Sequence, residues 1–104
     1  MLYRQRMHFF PKSQEAWMEL VKLGDEYNKL AADKGWTQGT FWMPVAGETE
    51  VVAEWDYADM ATYERETLGM FNEPDLMALG SKIWAIESVR APYSELLNPM
   101  PSFP

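Results

Sequence analysis

The chain predicts an α+β domain in which one four-stranded antiparallel sheet carries two helices on a single face. Three observations predict it. The apolar period switches between two residues and three-to-four residues in the order strand, helix, strand, strand, helix, strand. Cap-forming residues open both helical stretches, while prolines or turn signals close the extended ones. All of this lies within 104 residues, the length of one domain with a single two-layer core.

Residues 2–10 alternate, with Tyr3, Met7 and Phe9 on one side and Arg4, Arg6 and His8 on the other, the pattern of a half-buried strand. Gln5 is the polar exception on the apolar side, and Pro11 stops the strand. Ser13 is a natural N-cap, and Glu15 places an anion in the first turn, where the helix dipole favours it. From residue 14 to 34, Ala16, Leu20, Leu23, Tyr27, Leu30 and Ala31 recur at helical steps, giving an amphipathic helix of about six turns. Gly35 after Lys34 supplies the left-handed residue that ends such a helix.

Residues 36–43 read as a second strand carrying Thr37, Thr40, Phe41 and Trp42, with Gly39 as either a bulge or a point of close approach. Pro44 ends it, and Ala46-Gly47-Glu48 is a turn signal. Residues 50–57 alternate again, Val51, Ala53, Trp55 and Tyr57 against Val52, Glu54 and Asp56, so strands two and three form a hairpin. Asp59 caps a second helix through Met60, Tyr63, Glu64 and Leu68, which is broken at Asn72-Glu73-Pro74 and resumes briefly through Leu76 and Leu79 before Gly80. Residues 82–91 are expected as the fourth strand, with Trp84, Ile86 and Ser88 on one face and Pro92 as its stop. The domain then spans residues 1–91, and residues 92–104 form a Pro-rich tail whose Met100 and Phe103 either dock on a neighbour or fray.

A net charge of −7 with only 9 Lys and Arg disfavours nucleic acid and anionic membrane as partners. The absence of cysteine removes disulfides, thiolate nucleophiles and Cys-based zinc sites, and fits a reducing compartment. Residues 1–6 lack the apolar run of a signal peptide and no stretch reaches the ~20 apolar residues of a membrane span, so the expected location is the cytoplasm. Five Trp exceed what a core of this size normally needs, and some of that bulk is expected to face a partner or a ligand.

Two strand-helix-strand halves joined by a hairpin specify the ferredoxin-like βαββαβ arrangement. The chain resembles the dimeric α/β-barrel superfamily, in particular its NIPSNAP-like and antibiotic-biosynthesis-monooxygenase-like small proteins. The resemblance rests on Tyr3-Arg4-Gln5-Arg6, on Lys34-Gly35-Trp36 at the helix end, on Pro44-Val45-Ala46-Gly47 in the hairpin, and on Glu54-Trp55-Asp56-Tyr57 before a helix. It implies a homodimer whose sheets pack face to face, and a superfamily that includes cofactor-independent monooxygenases, haem-degrading enzymes, isomerases and proteins without known activity.

The residues with chemical potential fall in two groups. His8, Arg4, Arg6 and Glu54 are the catalytic candidates: His8 as general base, or as an axial haem ligand as the resemblance allows, and the two arginines holding an anionic oxygen. Glu54 and Asp56 stand on the strand expected beside the first, so the same charges equally form interstrand ion pairs. Trp42, Trp36, Asp56 and Tyr57 are the ligand-binding candidates, Trp42 foremost, while Trp55 and Trp84 are assigned to the core. No phosphate-cradling loop, paired-histidine motif or nucleophile elbow is present.

The expected function is a homodimer that binds a small apolar or aromatic molecule, as a binding protein, a cofactor-independent monooxygenase or an isomerase. A non-catalytic dimerisation or assembly module and a haem-binding protein are the alternatives. No cofactor and no metal is otherwise expected.

Overall fold

Alternation along the first strand sets the two faces of the sheet. The structure, a computed structural model, describes residues 2–46 and 49–99. Strand β1 (Tyr3–Phe9) lies between β3 (Val51–Tyr57) and β4 (Tyr93–Leu97), and β2 (Thr40–Trp42) pairs with the far side of β3, giving the antiparallel order β2-β3-β1-β4. This is the expected α+β ferredoxin-like sheet. Its register pairs Arg4 with Asp56, Arg6 with Glu54 and His8 with Val52 on one face, and Gln5 with Trp55 and Met7 with Ala53 on the other.

The second face is covered by helices. Helix α1 (Gln14–Asp33) starts where the Ser13 hydroxyl accepts the Ala16 N–H at 3.1 Å, and ends at Gly35, whose φ of 70° needs a residue without a Cβ. Helix α2 (Met60–Gly69) is capped by Asp59, which accepts both the backbone N–H and the hydroxyl of Thr62 at 2.7 Å. A 3-10 turn (Met70–Asn72) leads into α3 (Pro74–Trp84), whose proline occupies the first turn, where its missing N–H costs nothing. The core forms where these helices meet the sheet: Phe9, Leu20, Val51, Ala53, Trp55 and Tyr57 are buried together, with Met7, Tyr27, Phe41 and Ile83 packed against them. No helix among the described residues is long and apolar enough to cross a membrane.

Two elements differ from expectation. Residues 36–39 are not strand, because side chains rather than a ladder satisfy their backbone: Asn28 donates to the Gly39 carbonyl and accepts its N–H, both at 2.8 Å, and Glu66 accepts the Thr37 N–H at 2.8 Å. Gly39 is a point of close approach, since a Cβ there would meet the Trp55 ring at 2.7 Å.

The fourth strand also moves. Residues 82–84 continue α3, and the sheet's last strand is Tyr93–Leu97, after Pro92 instead of before it. Leu76, Leu79 and Ile83 fall at helical spacing across Gly80, so Ile83 and Trp84 end a helix instead of starting a strand. Residues 87–89 still pair with the segment that follows β1, through Lys12 N–H to the Glu87 carbonyl at 2.8 Å and Val89 N–H to the Phe10 carbonyl at 2.9 Å. Residues 93–97, assigned above to the tail, therefore lie in the sheet. Gly47 and Glu48 of the hairpin turn, and Met100 and Phe103 of the tail, are outside the described residues.

Candidate functional site

A cavity of about 210 Å³ separates the sheet from the helices. The alternation that turns Met7, Phe9, Trp55 and Tyr57 inward provides its floor, the inward stripe of α1, α2 and α3 provides Tyr27, Glu66 and Ile83, and the 3-10 turn adds Met70. Trp36 and Thr37, from the segment that Asn28 and Glu66 hold out of the sheet, close one side. Trp84 lines it while 42% exposed, so the cavity reaches solvent there. Apolar and aromatic walls with a few converging polar groups are the usual build of a small-molecule site, although ~300–1,000 Å³ is the common size. A molecule of one or two rings suits this volume.

The polar groups in the cavity are Gln5, Glu66, Thr37, Thr67 and the Tyr27 and Tyr57 hydroxyls. Glu66 is only 7% exposed, and among the described residues its carboxylate accepts one hydrogen bond, from Thr37 N–H. Tyr57 donates its hydroxyl to Gln5 Oε1 at 3.3 Å. Burial first and the Glu66 charge second push the Tyr57 and Tyr27 phenols above their usual range, so both stay protonated at neutral pH.

The opposite face of the sheet carries ion pairs. Arg4 Nε donates to Asp56 at 2.7 Å and its Nη2 to the second oxygen at 3.1 Å, a fork that holds Asp56 below the usual carboxylate range. Arg6 reaches Glu54 at 3.0 Å. His8 sits between two carboxylates, Nδ1 at 2.7 Å from Glu50 and Nε2 at 2.7 Å from Glu95, with the Tyr93 ring stacked on it at 4.3 Å. Burial opposes charge on the ring, but the hydrogen bonds and charges of Glu50 and Glu95 outweigh it and hold the His8 pKa above its usual value. An imidazolium donating both N–H groups matches this geometry.

The expected site residues are thus divided between two faces. His8, Arg4, Arg6, Glu54 and Asp56 share the open sheet face, and none of them lines the cavity. A general base or a haem ligand needs a ring lone pair directed at open space, and both His8 nitrogens are engaged. Trp42, expected as the foremost pocket residue, is 57% exposed on the same open face, next to Val52. Trp36 and Tyr57 do line the cavity, and so do Trp55 and Trp84, the two tryptophans read above as core residues. Trp84 does so from a helix, not from a strand.

Sequence reasoning missed Glu66. A signal existed: Glu66 falls three residues after Tyr63 and four before Met70, on the inward stripe of its helix, as Gln5 falls on the inward side of its strand. Among the described residues no group of three His, Asp or Glu side chains is placed to hold a metal ion.

Known structures share this architecture at low identity. A NIPSNAP domain protein from Burkholderia xenovorans superposes with a TM-score of 0.70 at 19% identity, over 100% of this chain and 99% of that one. SnoaB, a cofactor-independent oxygenase from Streptomyces nogalater, gives 0.71 at 12% identity, over 99% and 97%. A dimeric ferredoxin-like protein from an uncultured marine organism gives 0.71 at 10% identity, over 98% and 90%. No protein-family model and no curated protein matches this chain. The chain has the ferredoxin-like fold found in NIPSNAP proteins and in antibiotic biosynthesis monooxygenases.

Proposed function

We propose that this chain forms a homodimer whose protomers each bind a one- or two-ring aromatic molecule between the sheet and the helices. The cavity carries the reading, because aromatic and apolar walls close around Glu66, Tyr57 and Gln5. Walls of this kind offer flat contact area, and the polar groups orient what enters. The charged open sheet face is assigned to self-association, where paired charges fix register more than they add affinity. A dimeric ferredoxin-like protein of the same fold supports self-association.

In a catalytic form of the reading, oxygenation without a cofactor or an isomerisation, Glu66 replaces His8 as the group that takes up a proton. Its carboxylate faces the cavity, whereas both His8 nitrogens are occupied. The SnoaB structure, a cofactor-independent oxygenase of this fold, favours that form.

The test uses Gly80, which lines the cavity and has open space where a Cβ would stand. Gly80→Phe is expected to fill the cavity, since a Cβ there meets no atom within 4 Å. Calorimetric titration with indole and naphthalene-sized aromatics is expected to show binding to the parent and none to the variant. Equal binding by both proteins would refute the cavity as the site.

A further inference from the structure

Glu66 is a buried carboxylate set among aromatic side chains, and this states what the cavity prefers. We propose that its ligand is a cation, a protonated aromatic amine whose ammonium group pairs with the Glu66 carboxylate; the inference rests on the cavity reading above and names the ligand class within it.

The electrostatics point one way. None of the ion pairs among the described residues includes Glu66, so the carboxylate has no lysine, arginine or histidine beside it. One backbone N–H at 2.8 Å is its sole hydrogen-bond donor there. A carboxylate this enclosed loses solvation that one donor does not replace, and an entering cation restores it. Arg4 and Arg6, the charges that would receive an anion, are on the far side of the sheet and paired with Asp56 and Glu54.

The walls agree with the carboxylate. Tyr27, Trp36, Trp55 and Tyr57 line the same space, and the negative faces of such rings attract ammonium groups, more strongly when water is excluded. Tyr57, which lines the cavity, spends its proton on Gln5 Oε1, so its phenol oxygen keeps only acceptor capacity. A net charge of −7 adds a long-range attraction for cations.

Three probes of one size separate the possibilities at pH 7: 2-phenylethylamine as cation, 2-phenylethanol as neutral analogue and phenylacetate as anion, each titrated by calorimetry. The amine is expected to bind about tenfold more tightly than the alcohol, with phenylacetate weakest. Glu66→Gln should bring amine and alcohol together, while Glu66→Asp, which keeps the charge, should retain the preference at reduced affinity. If Glu66→Gln does not fold, the order of the three probes on the parent and on Glu66→Asp decides. Alcohol binding as tightly as amine, or acid binding most tightly, would overturn the amine assignment and leave the aromatic cavity standing. Failure of all three would overturn both.

Discussion

Glu66 Oε1 accepts the Thr37 backbone N–H at 2.8 Å, tying helix α2 to the segment that enters β2. A single bond thus joins two walls of the cavity and buries the carboxylate that faces into it. The neighbouring clasp, in which the Asn28 amide holds both backbone groups of Gly39, fixes the same segment against α1. Together they keep Trp36 beside the cavity and out of the sheet.

The clasp should be costly to remove. Asn28→Ala leaves the Gly39 N–H and carbonyl without these partners, and about 1–3 kcal/mol of stability should be lost. Urea midpoints measure the loss, and faster amide exchange at Gly39 would locate it. An unchanged midpoint would mean that the segment is held by its ring contacts alone.

Trp55 and Trp42 should differ sharply. Trp55 is 9% exposed with Tyr27 and Phe41 edge-on at 6.2 Å, whereas Trp42 is 57% exposed. Trp55→Ala is expected to cost about 3–5 kcal/mol. Trp42→Ala should cost clearly less in the folding of the protomer, and chemical denaturation of both variants under dissociating dilution checks the order.

His8 makes stability depend on pH. Its folded pKa is raised, so its contribution is fully present below the unfolded value of about 6.5 and is lost as pH rises through the higher folded value. NMR titration of the ring should give a pKa above about 6.5. Glu50→Gln and Glu95→Gln should each lower it, since each removes one of the two carboxylates. A ring that titrates below the ordinary histidine value would contradict the double clamp.

Self-association should depend on the open face. Val52 sits there between His8 and Trp42 in register, so Val52→Lys places an unpaired charge in the middle of the proposed interface. Light scattering should report a dimer for the parent and a monomer for the variant, with circular dichroism unchanged. A monomeric parent at micromolar concentration would remove the homodimer from the account.

Much of this architecture is readable from residue order. The alternation in Tyr3–Phe9 and Val51–Tyr57 identifies both central strands and sorts their faces correctly, because each side of a strand meets one environment. Ser13 and Asp59 mark their helices through side-chain caps that are local in sequence. The run Ile83-Trp84-Ala85-Ile86 is different: four apolar residues suit a helix or a strand, and only packing against α1 decides. The site was harder still. Charge and histidine content drew attention to the open face, while Glu66 becomes informative only when the fold encloses it with Trp36, Trp55 and Tyr57.

The indole N–H resonances of the tryptophans test the cavity as ligand site most directly. Trp36, Trp55 and Trp84 line it, and Trp42 on the open face is the internal control. On titration with 2-phenylethanol or 2-phenylethylamine, the first three signals should shift together and saturably while Trp42 stays in place. Movement of Trp42 with the other three unmoved would put the ligand on the open sheet face and contradict the account.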